Sequence, residues 1–87
     1  MNENEIARML LKYLLAHPDA ADTLEGICVW WIDQKDVRVR RRDVEDILRL
    51  LVSRGFLVEK KSTGQKEAMY SLNKEKIPDI KTLLRVP

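Results

Sequence analysis

Val39-Arg40-Arg41-Arg42-Asp43-Val44-Glu45-Asp46-Ile47-Leu48-Arg49-Leu50-Leu51-Val52-Ser53-Arg54-Gly55-Phe56-Leu57-Val58 is the stretch that decides the fold. Val44, Ile47, Leu48 and Leu51 share one arc at helical spacing, and Arg42, Asp46, Arg49 and Ser53 share the opposite arc. This predicts a helix from about Arg41 to Arg54 with one buried side. Gly55 follows where a helix closes in a left-handed conformation, which glycine adopts without a Cβ penalty. The period then changes. Leu57 to Lys61 and Lys66 to Leu72 read as two strands around Ser62-Thr63-Gly64-Gln65, a polar glycine-containing loop.

On the N-terminal side, Val37-Arg38-Val39-Arg40 alternates like a short strand or an extended turn within residues 35–42. Before it, Asp22-Thr23-Leu24-Glu25 reads as a capping box with Asp22 as N-cap. Leu24, Ile27, Cys28 and Trp31 give that second helix an apolar face, and its end is expected near Asp33. A first helix is expected from about Asn4 to His17, with Ile6, Met9, Leu10, Tyr13 and Leu14 inward and Arg8 and Lys12 outward. Pro18 stops it. After the strands, Asn73 can cap a last helix reaching Arg85, with Pro78 in its first turns. Ile77, Ile80, Leu83 and Leu84 form its apolar stripe.

The expected class is therefore α+β, in one domain spanning 1–87. From Val39 to Val58 the chain resembles the winged helix-turn-helix superfamily, and Tyr70-Ser71-Leu72-Asn73 is similar to the return strand of that family's wing. The resemblance covers Ile6 to Leu72. A narrower likeness, to small bacterial winged-helix proteins, lies in Leu24-Glu25-Gly26-Ile27 and Trp30-Trp31. The superfamily resemblance implies a three-helix core, a C-terminal β-hairpin wing and an additional C-terminal helix. It also implies that the third helix enters the major groove of duplex DNA, as in a transcriptional regulator or accessory factor. Such folds also serve as protein-interaction modules.

Composition sets the outer limits. A chain of 87 residues that is 45% hydrophobic and 34% charged has enough apolar material for one core. Cys28 is the single cysteine, so neither an intrachain disulfide nor a cysteine-based zinc site is available. The longest apolar run, Ile27 to Ile32, is far short of the roughly 20 residues of a membrane span. The acidic start, Met1-Asn2-Glu3-Asn4-Glu5, does not read as a secretory signal, so a cytoplasmic location is expected. No phosphate-binding glycine loop, triad or metal-ligand spacing stands in the sequence. Neither an enzyme activity nor a cofactor or small-molecule substrate is expected. His17 reads as the end of the first helix and Cys28 as a small hydrophobe.

Charge is distributed unevenly. Residues 1–34 hold two basic and six acidic groups, whereas 35–66 hold ten basic and five acidic, a swing from −4 to +5. Arg38, Arg40, Arg41 and Arg42 crowd the start of the third helix, where backbone donors and the helix dipole also favour an anion. Arginine pairs bidentately with phosphate or with guanine. The alternative is an internal ion-pair network with Asp36, Asp43, Glu45 and Asp46. Arg49 lies on the outward arc beside Glu45 and Asp46, whose charges phosphates repel, so DNA contact is expected mainly through the first turn. Lys60, Lys61 and Lys66 flank the wing tip, where lysine either positions a nucleic-acid backbone or guards a strand edge against aggregation.

Two functions follow from these residues. One is duplex DNA binding through the arginine cluster and the wing lysines. The other is a protein-interaction module, a homodimer or a subunit of a larger assembly, using Trp30 and Leu84 as interface residues. Trp31 belongs with the core face; for Trp30, packing against the last helix is the favoured expectation, with an interface anchor as the alternative.

Overall fold

The computed structural model of the chain describes residues 3–32, 39–64 and 66–85. Helix α1 (Glu3–Ala16) buries Ile6, Leu10, Leu11 and Leu14, while Met9 and Tyr13 cover the flank of the core and Arg8 and Lys12 face outward. Two residues, Ala21–Asp22, form strand β1, which the sequence reading left out. The second helix, α2 (Leu24–Gly26), runs on as a π-helical turn, Ile27–Trp31. Helix α3 (Arg41–Ser53) follows, then strands β2 (Leu57–Lys60) and β3 (Met69–Leu72). A 3₁₀ turn, Lys74–Lys76, leads into α4 (Ile77–Leu84). The architecture is α+β, with four helices and a three-stranded antiparallel sheet in the order β1-β3-β2 among the described residues.

One apolar cluster holds these elements together. Val44, Ile47, Leu48 and Leu51 of α3 meet α1, as their arc requires, and Ile27 and Trp31 close the cluster from the π-helical turn. Trp31 stacks on Tyr13 with ring centroids 5.1 Å apart and planes 15° from parallel, and Tyr13 in turn meets His17 at 4.5 Å. Leu57 and Leu72 stand opposite each other in the hairpin register and seal the sheet side.

The end of α3 fixes where the hairpin starts. Gly55 has φ +81°, and its N–H donates to Val52 while the N–H of Phe56 donates to Leu51, both at 3.0 Å. This paired closure satisfies carbonyls that the helix leaves open and turns the chain back along α3 as β2. Asn73 braces the same corner, its N–H donating to Phe56 and its side-chain amide to the Gly55 carbonyl at 2.8 Å.

Four expectations change. The N-cap of α2 is Thr23, whose Oγ1 accepts from the N–H of Gly26 at 3.2 Å. Asp22 is a strand residue opposite Tyr70 instead, and its carboxylate accepts from the N–H of Thr23. Lys61, Lys66 and their neighbours leave the strands, so the hairpin is shorter and its loop longer than expected. Asn73 caps the 3₁₀ turn, accepting from the N–H of Glu75, and α4 proper starts at Ile77 with Pro78 in its first turn, where a missing N–H costs nothing. In α4, Ile80 and Leu84 point inward and Leu83 does not, being 55% exposed. No helix among the described residues is long and apolar enough to cross a membrane.

Candidate nucleic-acid interface

The chain reverses between α3 and β2, so the far end of the hairpin comes back level with the start of α3. Glu67, just before β3, stands 3.8 Å from the guanidinium of Arg41 in the first turn of α3. Lys60 pairs in register with Met69, two residues from Glu67. Arg40, Arg41 and Arg42 therefore share one end of the molecule with Lys60, Lys61 and Lys66, and all six side chains are exposed. Arg38 lies outside the described residues.

Helix α3 begins without a side-chain cap. Arg40 is its N-cap residue, in an extended conformation, and its carbonyl accepts from the N–H of Val44 at 3.1 Å. An arginine side chain offers donors and no acceptor, so it leaves first-turn amides to other partners. The exposed guanidinium groups of Arg40 and Arg42 stand beside those uncapped amides in sequence, an arrangement that suits an anion.

The described acids nearby are occupied differently from the alternative ion-pair network. Glu45 holds Arg49 at 2.8 Å, one turn along the helix, and does not pair with the first-turn arginines. Asp43, Asp46, Arg40 and Arg42 make no ion pair among the described residues. Asp36 lies outside them. Arg41 is the partly neutralised member, through Glu67, a residue the sequence reading passed over. Its signal was only its place beside Lys66, because a contact across the hairpin loop leaves no periodic trace.

Neither a protein-family model nor a curated protein matches this chain.

Further along α3 the outward face meets the sheet. Burial raises the Tyr70 hydroxyl above the usual phenol range; the Glu59 and Glu45 carboxylates push it further, and Arg49 opposes them. The phenol thus sits among acids near the Glu45–Arg49 pair and stays protonated, a hydrogen-bond donor rather than a phenolate. This middle region is mixed in charge, whereas the first turn of α3 and the hairpin tip are predominantly basic. On the other side of α3, burial raises the Cys28 thiol, with Arg41 lowering it and Glu25 raising it by smaller amounts. A protonated, half-buried thiol is a poor nucleophile. No three His, Cys, Asp or Glu side chains gather as a metal-ligand set among the described residues.

The two expected interface residues separate. Trp30 is 71% exposed and does not pack against α4; the wide π-helical turn brings Ile27 and Trp31 inward and leaves Trp30 out. Leu84 is 4% exposed and belongs to the core, so it offers nothing to a partner while the fold is intact.

Proposed function

We propose that this chain is a winged helix-turn-helix domain that binds duplex DNA, with α3 as its recognition helix and the β2–β3 hairpin as its wing. The observation that carries the reading is the approach of Glu67 to Arg41, which aligns the hairpin tip with the start of α3. Three exposed arginines and three exposed lysines then belong to the two elements that meet there. Arg40 and Arg42 take phosphates or guanine edges from the first turn, while Lys60, Lys61 and Lys66 position the neighbouring backbone. Arg49 is held back by Glu45 and contributes to orientation more than to affinity. The role is that of a transcriptional regulator or accessory factor, working in the cytoplasm without catalysis or cofactor.

The test is a pair of charge reversals followed by fluorescence anisotropy on random-sequence duplex DNA. Arg40→Glu with Arg41→Glu and Arg42→Glu should abolish binding, and Lys60→Glu with Lys61→Glu and Lys66→Glu should weaken it by at least tenfold. Undiminished binding by the arginine variant sinks the assignment of α3.

A second reading, a protein-interaction module, draws on Trp30 alone. An indole this exposed is uncommon on a surface with no partner, and tryptophan is enriched at the centres of interfaces. Trp30→Ala would then lower the mass of a self-associated species in sedimentation without unfolding it; a wild-type monomer at high concentration removes the homodimer form.

A further inference from the structure

At the opposite end of α3 a groove runs between α1, α3 and α4. Its floor and walls are apolar: Leu11 from α1, Leu50 from α3, Phe56 beyond the helix end and Leu83 from α4. Leu50 and Leu83 are 40% and 55% exposed, although both sit on helices whose other leucines are buried. Two arginines, Arg8 of α1 and Arg54 at the C-cap of α3, line it as well, beside the neutral Asn4. Neither makes an ion pair among the described residues. The groove holds about 350 Å³, at the small end of the roughly 300–1,000 Å³ range of ligand sites, and it is open along one side. That volume suits a few inserted side chains rather than an enclosed cofactor.

We infer that this groove docks an acidic amphipathic helix from a partner protein. Leucine-sized side chains one turn apart on the partner settle between Leu50, Phe56 and Leu83, the arrangement by which helices are read in grooves. Carboxylates on either side of that apolar stripe meet Arg8 and Arg54. A basic rim of this kind selects against a second copy of the chain. A twofold interface sets each patch against itself, so two copies would bring four unpaired arginines into one interface. The groove and the arginine cluster lie about 20 Å apart along α3, at ~1.5 Å per residue. A docked helix therefore leaves the first turn of α3 open, and the inference stands whether or not that turn binds DNA.

The experiment uses the full chain and a fluorescein-labelled helical peptide of about 16 residues, with leucines at i, i+4, i+7 and i+11 and glutamates on the flanks. Saturable binding is expected, weakening with salt as exposed charge pairs are screened. Arg8→Gln with Arg54→Gln should weaken it roughly tenfold, and Leu83→Ser should do the same, with circular dichroism unchanged in both. Three results overturn the inference: a lysine-flanked peptide binding as tightly; no saturable binding of the glutamate peptide; or a wild-type dimer in sedimentation that Leu83→Ser dissociates.

Discussion

Glu67 reaches from the hairpin loop to within 3.8 Å of Arg41, joining the two elements that carry the basic end of the molecule. Both side chains are about half exposed, and at that distance the pair is a loose contact rather than a tight bidentate one. Its effect on stability is small, because exposed pairs contribute about 0–1 kcal/mol. On the proposed DNA-binding reading its effect is larger in kind: Glu67 would compete with phosphate for Arg41.

Replacing that competitor should strengthen DNA binding. Glu67→Gln removes one negative charge and frees the guanidinium, so affinity should rise by roughly two- to fivefold at low salt, up to ~1 kcal/mol. Anisotropy at two salt concentrations measures it, and the gain should shrink at the higher one. A weaker-binding Glu67→Gln would mean that the contact positions the hairpin more than it blocks the arginine.

Asn73 ties three segments with one side chain: its amide donates to Gly55 at the end of α3, and its carbonyl oxygen accepts from Glu75 at the start of the last turn. Asn73→Ala should cost about 1–2 kcal/mol in urea unfolding, the size of a lost cap plus a lost hydrogen bond. Asn73→Asp keeps the acceptor and loses the donor, so it should fall between the two. Equal stability of all three proteins would show that the corner is held by Gly55 and Phe56 without Asn73.

Gly26 is in a helix, where alanine is ordinarily better by up to about 1 kcal/mol. Here the sign should reverse. A Cβ at this position would collide with the Asp22 carboxylate, which must swing away and release the N–H of Thr23. Gly26→Ala should destabilise by about 1 kcal/mol. In an Asp22→Ala background the same change should become neutral or stabilising, the coupling expected of neighbours in contact. Thermal denaturation of the four proteins closes the cycle, and additivity would contradict it.

Asp19 and Lys74 give a pH dependence of known sign. The Lys74 ammonium, hydrogen bonded to the Asp19 carboxylate and close to it in charge, holds that carboxyl below the usual aspartate range. A carboxyl depressed in the fold contributes stability above its unfolded pKa and loses it as pH falls through the folded value. The contribution should therefore be complete at neutral pH and fade below about pH 4. The pair is exposed, so the effect is small. Asp19→Asn should flatten the acid limb of a stability profile slightly, and a change confined to alkaline pH would contradict the pairing.

The long elements could be read from the chain because their periods are unambiguous. Val44, Ile47, Leu48 and Leu51 turn inward as their spacing required, and Gly55 closes α3 in the left-handed conformation expected of it. What the sequence hid was set by neighbours. Strand β1 is too short to alternate and exists because β3 offers it partners at Ser71 and Tyr70. That pairing draws Asp22 out of the helix start, and Thr23 takes the cap although Asp22 and Glu25 have capping-box spacing. Leu83 and Leu84 were equivalent on paper; Leu84, one turn beyond the buried Ile80, continues its line into the core and leaves Leu83 outside. The arginine cluster itself was visible in the sequence. Its alignment with the hairpin lysines was not, since that depends on a contact between residues 41 and 67.

The most direct measurement is the salt dependence of binding to duplex DNA. If Arg40, Arg41 and Arg42 and the hairpin lysines neutralise four to six phosphates, log K against log salt should fall with a slope of roughly −4 to −5. Reversing the three arginines to glutamate should remove the binding at every salt concentration. A slope near zero, or an arginine variant that binds like the wild type, would contradict an anion site at the start of α3.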